Sequence, residues 1–325
     1  MRALVIGGNG FIGSHLIDAL LENGWQVVVY DRVLEKYRLP LPGVQYVLGD
    51  LENLEELTSV LAHTDVMFHL ASTTIPETAN RAPIFDIQSN LVPTVRLLEL
   101  CVKYNIGKVI FLSSGGTVYG VPEHLPVGED HPTQPISAHA IVKLSIEKYL
   151  FLFKHLYGLN YVILRPANPY GPRQNPQGKQ GAVAAFLGHI AQNLPITIWG
   201  TGEVIRDFLH VSDLASACIS AATITTESSV FNIGSGHGIS LNQLIAMIER
   251  EVQRFFQIER LPARPFDVPE IVLDTQRAQT ELGWSPKISL EDGLADTWHW
   301  ICSLPDSQSS IGTWTDIKEG FNVSK

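Results

Sequence analysis

Near the start of the chain, Gly7-Gly8-Asn9-Gly10-Phe11-Ile12-Gly13 carries three glycines in the spacing G-x-x-G-x-x-G. Without a Cβ these positions let the backbone approach a bulky anion, with the N–H groups of a helix start turned toward it. The chemistry implied is the cradling of a pyrophosphate, provided that a strand precedes the turn and a helix follows it. Both signals are present: Ala3-Leu4-Val5-Ile6 is an apolar run, and a helical pattern extends from Ser14 to Glu22. Asp31 closes the next apolar run, Val27-Val28-Val29-Tyr30. A carboxylate there accepts ribose hydroxyls and repels a 2′-phosphate, which favours NAD over NADP, an effect softened by the adjacent Arg32.

These residues need a scaffold that holds them at one edge. Apolar runs recur at Gln45–Leu48, Val66–Leu70, Lys108–Leu112 and Tyr161–Leu164, and helical patterns lie between them around Val92–Tyr104 and Ala138–Leu156. Continuously apolar strands between amphipathic helices predict an α/β fold: a Rossmann-type doubly wound parallel sheet covered on both faces. Ligands of such sheets sit outside the carboxyl ends of the strands. Asp50-Leu51, after the third run, is expected near the adenine. Leu70-Ala71-Ser72, after the fourth, leave room for the dinucleotide. His69 lies inside an apolar run and reads as a buried, hydrogen-bonded histidine.

The pattern changes after Arg165. Pro and Gly are dense from Pro166 to Gly181, which predicts loops lining a cleft, and helices follow at Ala182–Asn193, Ser212–Thr223 and Leu241–Phe255. The expected division is a NAD-binding part, residues 1–165 plus about 207–235, and a smaller α/β substrate-binding part, about 166–206 plus 236–302. Residues 303–325, rich in Ser, Asp and Gly, form a tail.

Composition limits the partners. The net charge is −10 with no basic run, which argues against nucleic acid, whose phosphates need clustered Lys and Arg. Cys101, Cys218 and Cys302 are widely separated, show no metal-ligand spacing, and read as packing residues of a reduced compartment. No apolar stretch approaches the ~20 residues of a membrane span. The first apolar run passes straight into glycines without a cleavage-site pattern, so a cytoplasmic protein is expected.

Taken in order, the motifs resemble the extended short-chain dehydrogenase/reductase group, specifically its NAD-dependent nucleotide-sugar epimerases and dehydratases. The markers are Gly7–Gly13, Asp50-Leu51, His69-Leu70-Ala71, Asn90 before a helix, Ser113–Gly120, Arg165–Arg173, Gly202, Arg206–Asp213, Asn232-Ile233-Gly234 and Leu282-Gly283-Trp284. They span about Arg2 to Cys302. The resemblance adds Asn90, Lys143 and Pro166 to the cofactor-binding set. It implies a reaction in which a hydride leaves C4 of a UDP-hexose, the 4-keto sugar rotates, and the hydride returns to the other face. It also implies a homodimer built on a four-helix bundle from the helix after Asn90 and the helix carrying Lys143.

The family's Y-x-x-x-K falls on His139-Ala140-Ile141-Val142-Lys143, so the lysine is present and the tyrosine is replaced by His139. Tyr119 and Tyr149 occupy other places in the pattern. A phenol with an ordinary pKa of ~10 needs a nearby cation to act near neutrality, whereas an imidazole at ~6.5 does not. Lys143 is expected to push His139 lower and keep it neutral. Reach is the difficulty: an imidazole nitrogen sits roughly 2 Å closer to its backbone than a phenol oxygen, and an error of about 1 Å costs ~10²-fold. A bridging water, a changed reaction such as nucleotide-sugar reduction, and a catalytically silent binding protein all remain open at this point.

The usual catalytic Ser/Thr position holds Gly115, flanked by Ser114 and Thr117, either of which offers a hydroxyl. Gly116-Thr117 stands where related dehydratases and decarboxylases carry a carboxylate, which leaves epimerisation as the reaction best matched. On the substrate side, the resemblance places Asn168 at the diphosphate or sugar, Arg206 and Arg264 on the diphosphate, and Asp267 near the nucleoside ribose; Trp199 reads either as a flank of the base or as an ordinary core residue. Two guanidinium forks around a diphosphate are physically sound. Lys179 and Gln180 lie in the Pro/Gly-rich loop without an assigned role.

Overall fold

The computed structural model describes residues 1–178, 180–264 and 268–305. Lys179, Asp267 and the tail from residue 306 onward lie outside the described residues. In chain order the strands are β1 Arg2–Ile6, β2 Gln26–Asp31, β3 Val44–Leu48, β4 Val66–His69, β5 Lys108–Leu112, β6 Tyr161–Pro166, β7 Asn168–Tyr170, β8 Ile196–Trp199, β9 Ile205–His210, β10 Val230–Ile233, β11 Gly238–Ser240, β12 Ile258–Leu261 and β13 Glu270–Ile271. The helices are α1 Phe11–Glu22, α2 Leu54–Leu61, α3 Pro76–Arg81, α4 Pro83–Asp86, α5 Val92–Lys103, α6 Ala138–Tyr157, α7 Ala182–Ala191, α8 Val211–Thr223, α9 Leu241–Val252, α10 Gln276–Glu281 and α11 Leu290–Ser303. Ile87–Leu91 winds as a π-helix between α4 and α5.

Seven parallel strands run in the order β10-β6-β5-β4-β1-β2-β3. This is the doubly wound arrangement predicted from the alternating runs. The order reverses between β1 and β4, and the glycine turn sits on that switch point, at the carboxyl edge. The central strands are buried on both faces. Ala3, Val5, Val27, Val29 and Phe68 face one core, and Leu4, Ile6, Val28, Tyr30 and Met67 face the other. Each buried Val, Leu, Ile, Phe or Met side chain among them contributes ~1.5–3 kcal/mol relative to an exposed one.

A second sheet, β11-β9-β13 with β7 also paired to β9, carries its own core of Phe186, Leu187, Phe208, Leu244, Ile248 and Trp298. The segment from Pro166 to Gly181, expected as loop throughout, therefore contains a strand, because Asn168–Tyr170 finds β9 as a parallel partner. Ala278, Leu282 and Trp284 pack against the first core although they lie late in the chain. Cys101 and Cys218 are buried, but Cys302, expected to pack, is exposed near the end of α11.

Two local features position the site. Helix α6 begins at Ser137, whose side chain accepts a hydrogen bond from the Ala140 N–H, and it ends at Gly158 with φ 72°, a left-handed stop. The π-helix leads directly into Val92-Pro93. Proline has no N–H to continue an ordinary helical ladder, and such wide turns recur at functional sites.

Candidate active site

The cofactor edge follows from three backbone requirements. Gly7 has φ +79°, and a Cβ there would lie 2.8 Å from the Ala71 nitrogen. At Gly13 a Cβ would meet Gly7 O at 2.4 Å and Gly8 Cα at 2.6 Å. Helix α1 starts after Gly10 with no capping side chain and no acidic residue in its first turn, so its N–H groups and positive dipole end stay available for an anion. Phe11 and Ile12, named with the glycines, form that first turn. A dinucleotide pyrophosphate fits this cradle.

Asp31 ends β2, and its Oδ2 accepts the Asn9 N–H at 2.9 Å, tying the end of this strand to the glycine turn. Burial raises the Asp31 pKa, and hydrogen bonds from the Asn9 and Val33 N–H groups oppose that. Arg32 is more than half exposed and lies 3.8 Å from the Asp50 carboxylate. Arg32 also attracts the Asp31 carboxylate electrostatically, which pulls its pKa down against the effect of burial.

Leu51, Ala71, Ser72, Asn90, His139 and Lys143, all named from sequence, line one small cavity with His69, Asp86, Thr94, Val142 and Ile146. Leu70 is anchored beside it by its N–H to Ile6 O. Asn90 is spent on protein: its Oδ1 accepts the Thr73 N–H at 2.9 Å and its Nδ2 donates to Asp86 Oδ1 at 2.8 Å. It therefore shapes the loop after β4. His69 is the buried, hydrogen-bonded histidine expected, with Nε2 2.8 Å from Thr94 Oγ1.

Lys143 is buried on α6. Its Nζ donates to Leu112 O at 2.8 Å and lies 4.8 Å from the centre of the Phe111 ring. Burial pushes its pKa down to about 8, against the pull of Asp86 and Glu147. His139, one turn earlier, is pushed down to about 4, by burial first and by Lys143 second. It is a neutral imidazole at neutral pH, and Nδ1 is its buried nitrogen without a partner.

Above this, Thr117 Oγ1 donates to Ser114 Oγ at 2.8 Å. Gly115 is glycine for a reason: a Cβ would meet Leu273 Cδ1 at 2.6 Å and Arg165 O at 2.7 Å. The Gly115 N–H bonds Pro166 O at 2.8 Å, joining the hydroxyl loop to the end of β6.

Sequence reasoning missed the network below. Glu147 holds Arg165 through Nε at 3.0 Å and Nη2 at 2.6 Å and accepts Ser113 Oγ at 2.5 Å. Arg165 Nη1 donates to Tyr119 Oη at 2.9 Å, which donates to Asn232 Oδ1 at 2.6 Å. All five side chains are buried. A fully paired charge network rigidifies α6 against β5, β6 and β10. The visible signal was a Glu one turn after Lys143 on the same helix face.

On the substrate side, Asn168 Oδ1 is buried without a partner, and a Cβ on Gly116 would lie 3.7 Å from it. Arg206 lies on β9, its Nη1 donating to Ile205 O. Asp207 follows it on the same strand. That carboxylate is fully buried and accepts the Ser235 N–H and Oγ and the Gly236 and Leu273 N–H groups. Trp199 and Arg264 come together, with the guanidinium 5.4 Å from the indole centre.

The sequence profile of the NAD dependent epimerase/dehydratase family matches residues 3–234. A putative UDP-glucose 4-epimerase of Methanocaldococcus jannaschii is 36% identical over 303 residues, covering 92% of this chain and 97% of the relative. The crystal structure of the Thermotoga maritima UDP-glucose 4-epimerase with UDP-glucose superposes with a TM-score of 0.88 at 37% identity, covering 92% of this chain and 98% of that one. The Thermus thermophilus UDP-glucose 4-epimerase complexed with NAD gives 0.87 at 32% identity, covering 93% and 99%. The strand order, the glycine cradle and these likenesses agree: the chain belongs to the NAD-dependent epimerase/dehydratase family.

Proposed function

We propose that this protein interconverts the C4 epimers of a UDP-hexose through a transient 4-keto sugar, with His139 as the base. The observation that carries this reading is a neutral His139 one helical turn from Lys143, in a cavity edged by Leu51, Ala71 and Ser72. NAD, when bound, supplies the capacity to take a hydride from C4 and return it. Gly7, Gly10, Gly13 and Asp31 hold the cofactor, and Lys143 holds its nicotinamide ribose. The sugar hydroxyl gives its proton to His139 and takes it back, assisted by the Thr117–Ser114 hydroxyl pair.

Asn168 Oδ1 is an acceptor, and a diphosphate has no proton to give it, so this atom suits a sugar hydroxyl. Arg206 and Arg264 take the diphosphate, and Trp199 flanks the base. The two cores support a cofactor part, residues 1–165 with about 207–235, and a sugar-nucleotide part, about 166–206 with 236–302, apart from Ala278, Leu282 and Trp284, which join the first core, and Phe208, which joins the second. Exposed Ile141, Phe151, Leu152 and Leu156 on α6, with Val92 on α5, support a homodimer through a four-helix bundle. No helix among the described residues is long and apolar enough to cross a membrane, and we place the protein in the cytoplasm.

The test is proton NMR of the protein with NAD and a panel of UDP-hexoses, following the anomeric signals. New epimer signals absent from a protein-free control establish the activity and name the sugar. Substrate line-broadening without turnover overturns it in favour of a silent NAD/nucleotide-sugar-binding protein, the reading that the missing tyrosine favours. Net NADH consumption overturns it in favour of a reductase.

A further inference from the structure

Three buried polar atoms of one cavity have no hydrogen-bond partner among the described residues: His69 Nδ1, Asp86 Oδ2 and His139 Nδ1. Leaving such atoms unpaired is costly. The cavity lined by these three residues measures ≈ 10 Å³, about the room of one water.

The surrounding bonds decide which of these atoms can donate. Thr94 Oγ1 gives its proton to Asn90 O at 2.6 Å. Its contact with His69 Nε2 at 2.8 Å is therefore donated by the imidazole. Neutral His69 then carries a bare Nδ1, which only accepts. Asp86 Oδ1 is occupied by Thr74 Oγ1 at 2.5 Å and Asn90 Nδ2 at 2.8 Å. Its Oδ2 also only accepts. One water has two protons, one for each of these acceptors. A third acceptor would find none, so His139 Nδ1 must donate into the water's lone pair. Lys143 lines the same cavity, but its Nζ donates to Leu112 O at 2.8 Å and to none of the three atoms.

We propose that this cavity is a water site, and that Asp86, acting through that water, fixes His139 as the Nδ1–H tautomer. The remaining lone pair then sits on Nε2, as a base requires. Asp86 is a positioning residue for His139, in the way a carboxylate orients a catalytic imidazole in hydrolases. Its catalytic consequence rests on the epimerase reading above. There, the Nε2 lone pair forms the new N–H bond as the C4 O–H bond breaks, and the Nδ1–H of the resulting imidazolium stays on the water. The same proton returns from Nε2 to the keto oxygen when the sugar is reduced.

The test reads the tautomer without substrate, by long-range proton–nitrogen NMR of the uniformly nitrogen-15-labelled protein at pH 7. His139 is assigned by the signals lost in His139→Gln. The wild-type ring is expected to carry its proton on Nδ1. Asp86→Asn replaces the accepting Oδ2 by a donating amide, turns the water round, and is expected to move the proton to Nε2. A wild-type Nε2–H form, a charged ring, or an Asp86→Asn protein with its tautomer unchanged overturns the proposal. The wild-type spectrum decides even if Asp86→Asn does not fold. With turnover established, Asp86→Asn should lower kcat about 10-fold or more, the usual effect of losing an orienting partner, with KM little changed. An unchanged kcat overturns the positioning role. A wild type without turnover instead removes the epimerase reading and leaves the tautomer measurement intact.

Discussion

Thr117 Oγ1 donates its proton to Ser114 Oγ, 2.8 Å away, so the two hydroxyls flanking Gly115 form a chain and are not interchangeable. The donor has spent its hydrogen, while Ser114 keeps one, which on the proposed function it offers to the substrate oxygen. Ser114→Ala should therefore lower kcat of UDP-hexose epimerisation more than Thr117→Val, by about 10²-fold for a lost relay hydroxyl. Parallel steady-state kinetics of the two variants decide the order. Equal losses, or a larger loss for Thr117→Val, would reverse the assignment.

The rate should depend on pH in two places. On the proposed function His139 is a base, which it can be only when neutral, so kcat/KM should fall as pH drops through about 4. On the same reading Lys143 holds the nicotinamide ribose only as a cation, so kcat/KM should fall again as pH rises through about 8. A tyrosine base would instead lose activity on the acid side near the phenol's own titration. The acid limb should vanish in His139→Gln, together with most of the rate.

Stability should follow the same burial. His69 is pushed down to about 3, and His139 and His15 to about 4. An unfolded histidine titrates near ~6.5. Between these values the unfolded chain binds more protons, so stability is fully present above about 6.5 and is lost as pH falls toward 4. Thermal unfolding from pH 7 to 4 should show a falling midpoint, with a shallower slope in His139→Gln. A flat profile would mean that these rings titrate normally.

Restoring a hydroxyl at the family's usual position should fail. A side chain at Gly115 meets Leu273 Cδ1 at 2.6 Å and the Arg165 carbonyl at 2.7 Å, and that carbonyl cannot step aside easily. Gly115→Ser should cost about 1–3 kcal/mol of stability, the range for overpacking, and should not raise kcat. Chemical denaturation alongside a rate assay measures both. A faster, equally stable variant would refute the packing argument.

The Trp199–Arg264 pair should act in binding alone. Arg264→Ala removes the cation over the indole and, on the proposed function, a fork for the diphosphate. KM for a UDP-sugar should rise about 10-fold or more, with kcat within a small factor, since a good charged contact is worth ~1.5–3 kcal/mol. A selective loss of kcat would place Arg264 at the reacting end of the substrate.

Much of this was legible along the chain. The glycine cradle, Asp31 and the parallel strands are local patterns, readable because strand, turn and helix follow one another within a few residues and their periodicities differ. Lys143 and the substitution at His139 were also visible, since one helical turn separates them. The roles of Asp86, Glu147 and Asp207 were not. Asp207 looked like a neighbour of Arg206, yet strand alternation points successive side chains to opposite faces, and its carboxylate turns inward to bind Ser235 and Gly236. Gly115 was readable only as a missing hydroxyl until Leu273 arrived beside it. The meeting of His69, Asp86 and His139 depends on β4, the segment before α5, and α6 closing on one cavity. Sequence determined which groups this protein has for its chemistry. Tertiary structure decided which of them face one another, because proton sharing and burial act between residues that the chain itself keeps far apart.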